Sequence, residues 1–230
     1  MKKLWTVLAV LLLSALLVLA QISVQVEPKT PPADTGKAAP PRCEMLGKIA
    51  VKSFPAITVA SVMEKAVDFA PEGGYPAGEA GISQAYEKMM TDAFNKLGAW
   101  MSAGGMAMGA PFAFFFEDPE KTAAADLTCK VAFPTMSDAK AAAPVMIESL
   151  PEYTAVTCTY KGPYEASGDI WKACSKWVTD NGYVSTDAPM EVYLKSQADK
   201  VPPAEYMTEI RIPVKKAAKM PETKPAEGGK

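Results

Sequence analysis

The chain has 230 residues, 49% of them hydrophobic and 22% charged, with a formal net charge of -2 and no histidine. This composition suits one well-formed core and offers no basic stripe for nucleic acid, so a nucleic-acid partner is not expected. Without an imidazole, Ser-His-Asp triads, Cys-His nucleophiles and His-ligated zinc or haem are excluded.

Residues 1–26, MKKLWTVLAVLLLSALLVLAQISVQV, form a targeting segment. Lys2 and Lys3 supply the basic start, Leu4 to Ala20 is uncharged and apolar, and Val18-Leu19-Ala20 offers a small residue for cleavage. The apolar run is also near the lower limit of about 17 residues for a spanning helix. Two fates are therefore expected: a signal peptide cleaved after Ala20, or retention as an N-terminal membrane anchor. Either one exports the body of the protein to a periplasmic or other extracytoplasmic location. No cysteine closely follows the apolar run, which argues against lipoprotein processing. Residues 27–42, EPKTPPADTGKAAPPR, read as a Pro-rich disordered spacer, and residues 216–230 as a disordered Lys/Pro tail.

Between them lies one folded unit that matches itself in order. SFPAITVASV, a helical stretch, GAPFAFFFEDP and TCKVAFP are followed by SLPEYTAVTC, a second helical stretch, DAPMEVYLKSQ and TEIRIP. Pro55 answers Pro151, Gly104 answers Gly182 and Pro111 answers Pro189; a one-residue slip sets Pro134 against Pro213 and Lys130 against Glu209. The first copy is longer through the Gly/Pro-rich insertion Ala70 to Ser83, read as a loop. Lys48 to Val62 and Val145 to Tyr160 alternate as strands, each broken by its proline at a bulge or edge. Tyr86, Met89, Met90, Ala93, Phe94, Leu97 and Met101 recur at helical spacing, as do Ile170, Trp171, Cys174, Trp177 and Val178. Each half thus reads strand, helix, strand, strand. Two such βαββ repeats, about 43–135 and 144–215, build an antiparallel sheet with two main helices on one face, an α+β fold. The four cysteines, Cys43, Cys129, Cys158 and Cys174, contain no CxxC and read as buried thiols, with two disulfides as the alternative in an exported chain.

Period-two alternation near the C-terminus raises a functional question. In TEIRIPV, Ile210 and Ile212 are expected to face the helices, leaving Glu209 and Arg211 opposite. In MEVYL, Met190, Val192 and Leu194 are expected to face the helices, leaving Glu191 and Tyr193 opposite. If the two strands pair, all four polar residues share the helix-free face, beside Ala113 and Phe115 and Lys130 and Ala132 of the first half. Two readings stand: a solvated sheet face with cross-strand ion pairs, or the polar floor of a small-molecule site.

YKGPYEASGDIWKACSKWVTDNGY and APMEVYLKSQADKVPPAEYMTEIRIPV resemble the GyrI-like (gyrase-inhibitor-like) effector-binding domain. The GPY turn, the tryptophan-bearing helix, the E-x-Y-L strand and the TEI-x-IPV strand carry the resemblance, which places that domain at residues 43–215. It implies two βαββ repeats around a groove that binds small hydrophobic or cationic organic molecules, with Glu209 in the groove. Glu191 is a second acidic candidate, Tyr193 and Arg211 are its neighbours, and Tyr160, Trp171 and Phe115 are candidate wall residues; for Trp171 a core role competes. No catalytic residue, cofactor or metal is assigned. Many relatives carry a DNA-binding helix-turn-helix, and here a signal segment and linker stand in its place. The haem-binding relatives of the fold are not supported without a histidine. The leading expectation is an exported or membrane-tethered binding module for a small-molecule ligand. Its rivals are a hydrolase of strained electrophiles using a groove glutamate as general base, and an envelope interaction protein with no ligand.

Overall fold

The computed structural model describes residues 42–217. The targeting segment, the spacer up to residue 41 and the tail beyond Ala217 lie outside the described residues. In chain order the elements are β1 (Glu44–Phe54), β2 (Ile57–Lys65), α1 (Glu79–Ser102), β3 (Phe112–Phe115), β4 (Thr128–Pro134), β5 (Met146–Leu150), β6 (Tyr153–Lys161), α2 (Gly168–Asp180), β7 (Tyr183–Ser185), β8 (Met190–Lys195) and β9 (Met207–Lys216). The strands form one antiparallel sheet in the order β1-β6-β9-β8-β3-β4-β2-β5, with the short β7 attached to β9. The α+β class expected from the sequence is the one observed.

Pro55 and Pro151 explain how this sheet bends. Neither can donate to a ladder, so pairing stops there, yet the register carries through from Phe54 opposite Tyr153 to Ile57 opposite Leu150. β1 with β2, and β5 with β6, are therefore two long strands bent at their prolines. β1 is one edge of the sheet and β2 lies beside the other, and only two residues join them. The two ends of the sheet are drawn together, and the helix-free side curls around an interior of its own. Val59, Phe112, Phe114, Ala132, Met190 and Val192 fill it, with Ile57, Leu150 and Tyr153 packed against them. Met190 and Val192 were expected to face the helices; they face away, because the opposite side has an apolar core too.

On the other side α1 places Ala85, Met89, Ala93, Leu97 and Trp100 against the sheet, one residue per turn. The helix begins inside the expected loop: Gly78, at φ 75°, reverses the chain and Glu79 opens the first turn. α2 does the same with Ile170, Cys174 and Val178. Cys174 is disulfide-bonded to Cys158 of β6, while Cys43 and Cys129 are free. The expectation of four buried thiols is thus corrected for one pair, which the helix stripe and the inward side of β6 bring face to face. Among the described residues, no helix is long and apolar enough to cross a membrane.

Candidate functional site

The register of β8 with β9 sets the site. Glu191 lies opposite Ile210, Val192 opposite Glu209 and Tyr193 opposite Thr208. Residues directly opposite share a face, so Glu191 and Tyr193 fall on one side of the sheet and Glu209 and Arg211 on the other. The four polar residues expected on a single face are therefore divided into two sets.

Glu209 and Arg211 take the helix-free side. Lys52 Nζ donates to Glu209 Oε2 at 2.8 Å and Arg211 Nε to Oε1 at 2.7 Å. Arg211 also lies over the Phe54 ring at 4.0 Å and donates to the Tyr153 hydroxyl at 3.3 Å. Burial alone would raise the Glu209 carboxyl, but hydrogen bonds and charge from Lys52 and Arg211 hold it below its ordinary value. Its negative charge is already matched by two cations.

Glu191 takes the helix side and has no such partner. Trp171 Nε1, from α2, donates to Glu191 Oε1 at 2.9 Å, and the Tyr160 hydroxyl, from β6, donates to the same oxygen at 3.0 Å. Among the described residues no ion pair includes Glu191. Burial pushes its carboxyl upward, and the donors Trp171, Tyr160 and Tyr193 pull it back only in part. The surroundings are aromatic. Tyr164 meets Tyr193 edge-on at 5.4 Å and stacks on Tyr206 at 5.1 Å. Phe115 stands edge-on to Trp171 at 6.1 Å and to Tyr86 of α1 at 5.3 Å. Phe94 of α1 closes in on Tyr193 at 6.3 Å. Burial, with the Glu191 charge beside them, raises the Tyr160 and Tyr193 hydroxyls, so both stay protonated donors at neutral pH.

Gly162 holds the turn that brings in Tyr164. Its φ is +135°, and a Cβ there would lie 2.9 Å from Cys43 Sγ and 3.0 Å from the backbone of Arg42, so the position admits glycine alone. Two buried side-chain oxygens among the described residues lack a hydrogen-bond partner, Tyr86 OH and Thr208 Oγ1. Both border this aromatic cage: Tyr86 through Phe115, and Thr208 as the cross-strand partner of Tyr160 and Tyr193. Orphaned buried hydroxyls are rare, because each forgoes about 1–3 kcal/mol. Glu191 itself is 6% exposed, so the cage is nearly closed.

Five of the seven sequence-derived residues, Glu191, Tyr193, Tyr160, Trp171 and Phe115, therefore converge between α1 and α2, and Glu209 and Arg211 lie across the sheet. Tyr164, Tyr206, Tyr86 and Phe94 were missed as wall residues. The first two sit in the GPY and AEY turns, where only their ring chemistry could have signalled them; the others read as plain helix stripe. Among the described residues no cluster of His, Cys, Asp and Glu could hold a metal ion.

A family profile described as the GyrI-like small molecule binding domain matches residues 48–215. The chain belongs to the GyrI-like family. As a GyrI-like domain it shares its fold with solved structures of low identity. The chain of EcmrR in its DNA complex is 24% identical with a TM-score of 0.59; the match covers 74% of the present chain and 58% of that one. The isolated EcmrR C-terminal domain is 23% identical over 74% of this chain and 98% of its own, with a TM-score of 0.57. An uncharacterised conserved protein from Listeria innocua is 14% identical over 73% and 92%, with a TM-score of 0.52. No curated protein matches the chain. The present GyrI-like chain thus spans a little over half of the EcmrR chain and nearly all of its C-terminal domain.

Proposed function

We propose that this GyrI-like domain captures a small hydrophobic organic cation in the cage between α1 and α2, with Glu191 as its charge partner. The observation that carries this reading is a buried carboxylate ringed by Trp171, Tyr160, Tyr193 and Tyr164 with no cation of its own. A buried charge without a partner is strongly disfavoured, and a ligand cation supplies the missing half. Electron-rich ring faces add cation–π attraction once water is excluded. The orphaned hydroxyls of Tyr86 and Thr208 give a ligand further polar contacts. Glu209, already paired with Lys52 and Arg211, serves the sheet in this reading and not the ligand.

The module is exported, either free after cleavage at Ala20 or tethered by its N-terminal segment. The Cys158–Cys174 disulfide supports an oxidising compartment, and the formal charge of -2 gives no reason to invoke nucleic acid. Hydrolysis of a strained electrophile is the second reading, favoured by the raised Glu191 carboxyl, since a general base works best with a pKa near neutrality.

A thermal-shift titration separates these readings, using ethidium as an aromatic cation and phenanthridine as its neutral relative. A ligand that binds only the native state must raise the melting temperature. Ethidium is expected to stabilise the wild type and Glu209→Gln, and to lose its effect in Glu191→Gln, while phenanthridine acts weakly on all three. Loss of the shift in Glu209→Gln alone would move the site to the other face. Turnover of an epoxide that vanishes in Glu191→Gln would favour the hydrolase.

A further inference from the structure

Glu191 offers the cage two oxygens that are not equivalent. Trp171 Nε1 and the Tyr160 hydroxyl both donate to Oε1, at 2.9 and 3.0 Å. A carboxylate oxygen has two lone pairs, so Oε1 is full. The Tyr193 hydroxyl, two residues along β8, makes its hydrogen bond to Met90 Sδ of α1 at 3.7 Å. Among the described residues no hydrogen bond reaches Oε2. Nor is Oε2 one of the orphaned buried oxygens, which are Tyr86 OH and Thr208 Oγ1, so it keeps accessible surface within the 6% of Glu191 that is exposed. Packing fixes this asymmetry: Tyr160 of β6 is fully buried, and the Trp171 ring of α2 is held edge-on to Phe115 at 6.1 Å.

A cation that docks here meets a carboxylate with one open acceptor. A quaternary ammonium has no N–H and brings only its charge. A guanidinium or amidinium presents a fork of two N–H groups that matches both oxygens at once, and one of the two is already taken. A protonated amine delivers one N–H to one oxygen, and such charge-assisted hydrogen bonds are the strong ones. We infer that the Glu191 cage selects protonated amines, cations that donate a single N–H to Oε2, over quaternary cations and over forked guanidinium or amidinium groups. This selection rests on the cage being a cation site and narrows that reading to one chemical class.

Three cations with the same ring test it: dimethyl(naphthylmethyl)ammonium, its trimethyl twin, and naphthylmethylguanidinium. All three are charged at neutral pH, so they differ in the N–H groups they offer. Calorimetric titration of the full chain is expected to show the dimethyl ammonium binding about 10–100-fold more tightly than the trimethyl twin, the span of one hydrogen bond to a charged acceptor. The guanidinium is expected to bind no more tightly than the dimethyl ammonium. Trp171→Phe empties one lone pair of Oε1, so in that variant the guanidinium is expected to gain on the amine. Equal affinity of the twins overturns the selection and leaves the cage a cation site, as does a guanidinium that binds the wild type best. Failure of the dimethyl ammonium to bind overturns it too, and if ethidium is also without effect the cation reading falls with it. The comparison of the twins uses the wild type alone, so it decides the question even if Trp171→Phe does not fold.

Discussion

Two glutamates on neighbouring strands show how partner choice gives the same side chain opposite roles. Glu191 titrates above its ordinary value of 4.5 because burial penalises its charge. Between the ordinary and the raised value the folded chain binds more protons than the unfolded one, so stability falls as pH rises and stays lower above that window. Glu191→Gln keeps an oxygen for Tyr160 and Trp171 but removes the charge. It is expected to raise stability by on the order of 1 kcal/mol above the window, the scale of relieving one buried unpaired group, and to change little below it. Melting curves at about pH 4 and pH 8 measure the difference. If Glu191 is the charge partner proposed above, cation affinity is expected to rise with pH through the same titration, since only the carboxylate attracts a cation. Glu209 has the reverse sign. Its value is lowered by Lys52 and Arg211, so its contribution is present above the ordinary carboxylate range and fades as pH falls through the lowered one. Glu209→Gln is expected to lose about 1–3 kcal/mol at neutral pH, seen as a lower urea midpoint, because Arg211 and Lys52 lose a charged acceptor.

At the scale of elements, the helices and strands were legible and the facing of the sheet was not. Helical spacing from Tyr86 to Met101 and from Ile170 to Val178 marks two stripes that pack as expected, and the proline in each long strand marks the bend that curls the sheet. Alternation fixes which residues share a side, but only an asymmetry between the two sides can say which one meets the helices. Here both are apolar: Met190 and Val192 bury against Phe112 and Phe114, while Ile210 and Ile212 bury under α2. MEVYL and TEIRIPV therefore look alike in pattern and face opposite ways, and the cage residues Tyr164 and Tyr206 come from turns that carry no period. The disulfide was hidden for a related reason, since a cysteine on a buried stripe looks like any small apolar residue. Cys158 and Cys174 are 16 residues apart, and a closed loop of that size is worth about 3 kcal/mol in chain entropy. The Cys158→Ala/Cys174→Ala variant is expected to lose stability on that order in urea. Because α2 also carries Trp171, its ethidium affinity is expected to fall too.

Across the described residues the strand order of the sheet has an approximate twofold symmetry. The strand sequence of the sheet is unchanged when β1 is exchanged with β5, β2 with β6, β3 with β8 and β4 with β9, and the order is then read backwards. On the helix side this order is broken where function is proposed: the positions answering Glu191 and Tyr193 are Ala113 and Phe115, and the other buried carboxylate on this side, Glu64, is paired with Lys96 of α1, so the described residues offer one unpaired carboxylate there and calorimetry is expected to find one organic cation per chain. On the helix-free side the order is kept with the charges exchanged. Lys130 of β4 pairs with Glu148 of β5 across β2 at 2.9 Å, and Glu209 of β9 pairs with Lys52 of β1 across β6 at 2.8 Å. Each pair spans an intervening strand near the bend, so the geometry specifies opposite charges and leaves the direction free. Lys130→Glu sets two carboxylates together and Glu148→Lys two ammonium groups; each is expected to cost about 1–3 kcal/mol in a partly buried position. Lys130→Glu/Glu148→Lys restores an opposite pair and is expected to lie within about 1 kcal/mol of the wild type, short by the cation–π contact of Lys130 with Phe114. A double-mutant cycle by urea unfolding reads the coupling directly. Additive losses would show that the two charges are not coupled, so that each loss comes from other contacts, such as the hydrogen bond Ser61 donates to Glu148.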